Sequence, residues 1–114
     1  MTKKKNEKPL CPLDYAFKRI GGKYKARTLF HIHEENNVLR YSEIKRILRN
    51  ITSKMMTQTL RELEQDELIS RKVYPQVPPR VEYSLTETGK ELIPFITHIA
   101  EWGKAQMKKK SLNE

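Results

Sequence analysis

Between Ile51 and Ile69 the chain reads ITSKMMTQTLRELEQDELI, a stretch whose apolar residues recur with a helical period. At about 100° per residue, Met56, Leu60, Leu63 and Leu68 fall on or near one side, which must face a core. The opposite side presents Lys54, Gln58, Arg61 and Gln65, with Ser53 and Thr57 beside them near the amino end. Thr52 is placed to cap the helix, because its hydroxyl can accept a bond from an otherwise unpaired amide of the first turn. Amides, guanidinium and ammonium groups are the side chains that bond to phosphates and to base edges in a DNA major groove. A polar face with two cations is also what an ordinary solvated helix shows, so the flanking segments have to decide between the two readings.

On the amino side, Ser42 is a candidate cap for a helix with Ile44, Ile47 and Leu48 turned inward, and only Arg49 to Ile51 separate it from the next helix. Two helices joined by so short a turn, the second carrying the polar face, predict a helix-turn-helix. Lys45 and Arg46 lie on the first of these helices, where phosphate contact and plain solvation are both open. On the carboxyl side, Ile69 and Val73 alternate with Ser70, Lys72 and Tyr74, and Val81, Tyr83 and Leu85 alternate with Glu82 and Ser84, which predicts a hairpin. Its connection, Pro75-Gln76-Val77-Pro78-Pro79, is too long and too proline-rich for a two-residue turn. With Arg71 and Lys72 at its base and Arg80 on its far side, the hairpin has the character of a wing that lies along a phosphate backbone or dips into the minor groove.

The ends of the chain predict further helices. Pro12 suits a first helical position, Cys11 sits at the cap, and Leu13, Ala16, Phe17 and Ile20 repeat at helical spacing before Gly21 and Gly22 end the segment. A second helix is expected from about Lys23 to Glu34, with Ala26, Leu29, Phe30 and His33 inward; Asn36 and Asn37 turn the chain into a short edge strand from Val38 to Tyr41. From Thr86 onward a long helix is expected, kinked or divided at Pro94. Its apolar face is wider than a small domain can cover. Phe95, Ile99, Trp102 and Met107 are therefore candidates for a subunit interface, the alternative being that they complete the monomer core.

The chain has 114 residues, enough for one domain, and a net charge of +9, which favours a polyanionic partner. No apolar run approaches a membrane span and no secretory signal follows the basic start, so a cytoplasmic protein is expected. A single cysteine, Cys11, excludes an internal disulfide and fits a reducing compartment. His31, His33 and His98 do not have metal-ligand spacing, and no catalytic constellation or phosphate-binding glycine loop is present, so neither a metal, a cofactor nor an enzymatic role is expected.

Three segments carry a family resemblance: IGGKYKARTLFHI (Ile20–Ile32), YSEIKRILRNITSKMMTQTLRELEQDELISRKVYPQVPPRVEYSLTETGKEL (Tyr41–Leu92) and EWG (Glu101–Gly103). They resemble the HxlR-type winged helix-turn-helix transcriptional regulators of bacteria, a MarR-like group, from Cys11 to about Gly103. The Gly-Gly-Lys, LREL and VPPRVEYSLT motifs are the most specific. The resemblance implies a mainly α fold with a small antiparallel β-hairpin, and helical dimerisation elements at both termini, which adds Leu13 and Phe17 of the first helix to the expected interface residues Phe95, Ile99 and Trp102. It also implies a homodimeric, sequence-specific DNA-binding regulator, here expected to be a repressor, on a pseudo-palindromic operator in double-stranded DNA. Carried over by position, Ser53, Lys54, Thr57, Gln58, Arg61 and Arg80 are the expected DNA contacts; Arg71 and Lys72 rest on charge alone. Tyr24 stands where the family commonly has tryptophan, and Asn50 and Glu67 stand where it usually has glycine, at turns that favour positive torsions.

A cysteine before the first helix is common in the family, and several members resemble thiol sensors, which implies redox or electrophile sensing at Cys11. A helix amino terminus, with Lys8 and Lys18 nearby, favours a reactive thiolate; the plainer alternative is a small hydrophobe at a dimer interface. The expected organisation is a flexible basic tail over 1–9 and a winged-helix domain over 10–107. Within that domain the recognition helix covers about 53–66, the wing 69–85 and the dimerisation helix 87–107; a polar tail covers 108–114. A competing function of another class is a winged-helix protein-interaction module with little DNA binding, which would lack the steep salt dependence of phosphate contacts.

Overall fold

The computed structural model describes residues 10–111, so the tail expected over 1–9 lies outside the described residues, as do positions 112–114. In chain order the elements are α1 (Pro12–Ile20), α2 (Lys25–Glu34), β1 (Val38–Arg40), α3 (Tyr41–Leu48), α4 (Ser53–Gln65), β2 (Ile69–Tyr74), β3 (Arg80–Leu85) and α5 (Glu87–Lys109). The fold is mainly helical, as expected, and the hairpin of β2 and β3 is joined by β1 into a three-stranded antiparallel sheet of order β1-β3-β2.

Pro12 opens α1, and the Gly21 N–H bonds to the Phe17 carbonyl to close it. Gly22 then takes a φ of 87°, a torsion at which a side chain would be strained. In α2 the inward stripe is centred on Thr28, Leu29 and Ile32, all fully buried. Thr28 is tolerated there because its hydroxyl donates to the Tyr24 carbonyl at 2.7 Å. That centring leaves His33 at the edge of the stripe and exposed, not inward as expected. Asn36 and Asn37 turn the chain with φ of 61° and 69°.

The register pairs Leu39 with Tyr83 and Ile69 with Leu85, all four of which pack into the core. Farther along the hairpin Val73 pairs with Val81, but Val73 is exposed because there the wing has run past the helices. α3 starts at Tyr41, so Ser42 is inside the helix and does not cap it. The cap is made from the other direction, by the Glu43 carboxylate accepting the Arg40 N–H at 2.8 Å. At the turn into α4 the positive torsion falls on Arg49, with φ 48°, and not on Asn50; the Ile51 N–H folds back onto the Arg49 carbonyl, which reverses the chain one residue early.

Thr52 caps α4 as expected, accepting from the Met55 N–H at 3.0 Å. Met56, Leu60 and Leu63 are buried against Leu29, Ile32, Ile44 and Ile69, and Ile93 and Ile96 of α5 belong to the same core. Glu67 does adopt the positive torsion of its turn, φ 60°, and the turn is latched by α5: Thr86 Oγ1 donates to the Glu67 carbonyl at 2.6 Å and the Thr86 N–H to the Leu68 carbonyl at 3.1 Å. Gly89 lies so close to Leu68 that a Cβ would overlap its carbonyl.

α5 is one helix of 23 residues; Pro94 does not divide it, and it runs through Lys109, into the segment expected as tail. Pro94 and Lys90, whose carbonyl the ring displaces, both lie on the exposed flank where water can replace the missing bond. Leu13, Phe17, Phe95, Ile99 and Trp102 are each more than half exposed, so they do not complete the core of this subunit. No helix among the described residues is long and apolar enough to cross a membrane.

Candidate nucleic-acid interface

α4 is fixed on three sides before its outer face is considered: its apolar stripe is in the core, Thr52 closes its start, and the Thr86 latch holds the turn after its end. What projects from the remaining side is the set Ser53, Lys54, Thr57, Gln58 and Arg61. All five are exposed, and together they line one shallow concavity. Gln65, one turn on, is exposed as well. Lys54 and Arg61 make no ion pair among the described residues, so both cations are available to a partner. Ser53 is engaged from behind, its hydroxyl accepting from Lys45 Nζ at 2.8 Å, which ties α3 to the start of α4. Arg46 is exposed.

The wing divides its three cations differently. Lys72 is exposed, with its ammonium 4.9 Å from the centre of the Tyr74 ring. Arg71 is exposed at the inner end of the wing, where it shares a second hollow with Arg61 and Thr57 of α4 and with Tyr83. Burial raises the Tyr83 pKa above the ordinary phenol value, and Arg71 opposes the rise. Glu64 borders the same hollow and weakens its positive field. Arg80 is more covered than its wing position suggests. Its guanidinium lies 4.0 Å over the Tyr74 ring, and Nε sits 3.5 Å from Glu82 Oε2, an ion pair without a hydrogen bond. Val77, at the wing tip, is fully exposed.

Two residues that matter to this surface escape a reading of the sequence. Glu62 accepts from Gln58 Nε2 at 2.9 Å through one carboxylate oxygen and pairs with Lys25 Nζ at 2.8 Å through the other. The Lys25 hydrogen bond, and after it the one from Gln58, holds the Glu62 carboxyl below the ordinary carboxylate range. The i,i+4 spacing of Gln58 and Glu62 was visible in the sequence. Lys25, arriving from another helix, gave no such signal. Cys11 is exposed at the start of α1 and makes no capping bond through its side chain.

A helix-turn-helix followed by a two-stranded wing, with the second helix exposing cations, hydroxyls and an amide, defines a winged helix-turn-helix domain. Residues 19–111 match the HxlR-like helix-turn-helix family, and the chain belongs to that family, a transcriptional regulator of the HxlR and MarR type. It is 52% identical over 95 residues to an uncharacterised HTH-type transcriptional regulator of Methanothermobacter thermautotrophicus, which covers 83% of this chain and 71% of that protein. With the regulator YybR of Bacillus subtilis the identity is 44% over 108 residues, 92% of this chain and 85% of the other. Among solved structures, the redox regulator HypR in its reduced form superposes with a TM-score of 0.81 at 40% identity, covering 89% of this chain and 98% of that one. The oxidised form of HypR gives 0.77 at 44% identity, over 83% and 96%.

Proposed function

We propose that this protein is a homodimeric, sequence-specific DNA-binding repressor in which two α4 helices enter successive major grooves of a pseudo-palindromic operator, their centres about 34 Å apart. The observation that supports this most is the continuous exposed surface of Ser53, Lys54, Thr57, Gln58 and Arg61 on a helix whose other side is wholly committed to the core. In this reading Lys54, Arg61, Arg71 and Lys72 meet phosphates, Gln58 reads a base edge, and Arg80 reaches the backbone only after leaving Glu82. The uncovered apolar side chains Leu13, Phe17, Phe95, Ile99 and Trp102 form the two-fold interface. Such a regulator works in the cytoplasm.

The reading extends to the signal. HypR is a redox regulator solved in both oxidised and reduced forms, and Cys11 is exposed beside the proposed interface residues of α1. As the only cysteine in the chain, it can form a protein disulfide only with Cys11 of a second subunit, which needs α carbons within roughly 7 Å; otherwise it is alkylated or capped by a small thiol.

The test is capture of genomic fragments by the protein, followed by titration of the recovered duplex at graded salt with and without diamide. Steep weakening with salt and strong preference over scrambled duplex are expected; binding indifferent to both refutes the DNA reading. Loss of binding on diamide treatment, absent in Cys11→Ser, is the expected thiol result. A mass shift on Cys11 with unchanged binding refutes that part alone.

A further inference from the structure

The chain of contacts behind Gln58 has a consequence for which base that side chain accepts. Lys25 Nζ donates to the Lys18 carbonyl at 3.3 Å and is 2.8 Å from Glu62 Oε1, so the carboxylate is anchored from α1 and α2 and cannot swing freely. Its other oxygen, Oε2, takes an N–H of the Gln58 amide at 2.9 Å. An ionised carboxylate only accepts, so the amide has one orientation toward it: nitrogen inward, carbonyl oxygen turned away. One N–H and the carbonyl remain for a partner. That pair complements adenine, which offers the N7 acceptor and the N6 donor in the major groove. It does not complement guanine, whose N7 and O6 both accept and therefore call for two donors.

We propose that Glu62, anchored by Lys25, is a positioning residue that fixes the Gln58 amide in its adenine-reading orientation and so sets specificity at one base pair in each half-site. This rests on the proposal that Gln58 reads a base. The isosteric Glu62→Gln change reverses the logic. Lys25 keeps the residue-62 oxygen, the new amide nitrogen occupies the Oε2 position and donates to Gln58, and the Gln58 amide turns over to accept. Both of its N–H groups then face the groove, which suits guanine.

The experiment is selection of bound sequences from a randomised duplex library by the full-length parent, Glu62→Gln, Lys25→Met and Gln58→Ala, with melting temperatures recorded alongside. The parent is expected to prefer adenine at one symmetry-related pair of positions, and Glu62→Gln to shift that preference toward guanine by about tenfold, with other positions unchanged. Lys25→Met, which frees the carboxylate, is expected to blur the preference without reversing it, and remains the decisive variant should Glu62→Gln fail to fold. A Glu62→Gln profile identical to that of the parent, or uniform weakening at every position, overturns the assignment. If Gln58→Ala also leaves the profile unchanged, the failure lies in the base-reading role of Gln58 and not in Glu62.

Discussion

The salt dependence of DNA binding can be worked from the surface. Of the five cations on α4 and the wing, Arg80 is paired with Glu82, leaving Lys54, Arg61, Arg71 and Lys72 without a carboxylate partner among the described residues. Doubled by the two-fold symmetry of the proposed dimer, these give about eight phosphate neutralisations, and at roughly −0.9 per contact the slope of log K against log salt is about −7. Raising salt fourfold, from about 50 to 200 mM, should then weaken binding by about four orders of magnitude. Arg61→Ala removes one cation per subunit, so its slope should be shallower by about 2, with the loss in affinity greatest at low salt. Glu82→Gln tests the same accounting from the other side: it releases Arg80, and the slope should steepen by up to about 2. Fluorescence anisotropy of a labelled operator duplex across a salt series measures all three proteins. Equal slopes for the parent and Arg61→Ala would refute the placement of Arg61 against phosphate.

Other expected outcomes follow from the same contacts. Glu67→Gly relieves a positive torsion of 60° held by an L side chain, so it should stabilise the fold by about 1 kcal/mol and raise Tm by roughly 4–8 °C in thermal unfolding by circular dichroism; an unchanged or lower Tm would show that Glu67 bears no strain. Trp102→Asp should give a monomer by analytical ultracentrifugation and abolish operator binding at concentrations where the parent is saturated, because the indole is 65% exposed in the subunit and a carboxylate there opposes a second copy. A dimeric, fully active Trp102→Asp would place the interface elsewhere. The Lys25–Glu62 pair stabilises the ionised carboxyl and depresses its pKa below 4.5, so its contribution is whole at neutral pH and is lost as pH falls below about that value. Urea denaturation of the parent and of Lys25→Met should therefore differ at pH 7 and converge in acid; a constant difference would mean that Lys25 acts through packing.

What the sequence disclosed divides along physical lines. α4 was legible because one helix face was apolar at the right period and the other was not, so core and outer face were both implied by a single count. The wing was legible because its prolines forbade a tight turn. What was missed required knowledge of the chain's path. Glu43 outcompeted Ser42 as the cap of α3 because a carboxylate three residues on can reach back to the Arg40 amide. Arg49 took the torsion expected of Asn50, a shift of one residue within the same turn that composition alone does not register. Arg80 was correctly placed on the wing by spacing, yet its charge is shared with Glu82 and the Tyr74 ring, neighbours defined only once the hairpin register is known. The Lys25–Glu62 contact joins residues far apart in the chain, and no local pattern announces it.

The two unsatisfied surfaces of the subunit explain one another. A single α4 offers a narrow readout, with one amide for a base edge and a few cations for phosphates, and one half-site bound at roughly millimolar strength would not select an operator from competing DNA. Joining two such modules rigidly converts the second contact into an intramolecular event, so the binding free energies approach additivity and the pair reaches micromolar strength or better without any new contact. That gain requires a surface able to hold the modules at a fixed separation, and in the proposed dimer Leu13 and Phe17 of α1 and Phe95, Ile99 and Trp102 of α5, each more than half exposed, supply it, whereas Met55 alone among the large apolar residues of α4 is exposed. The apolar face is thus no surplus left over by a small core. In the proposed dimer it sets the spacing on which the affinity of α4 for DNA depends, and a change that loosens it should cost operator binding far more than it costs the stability of the fold.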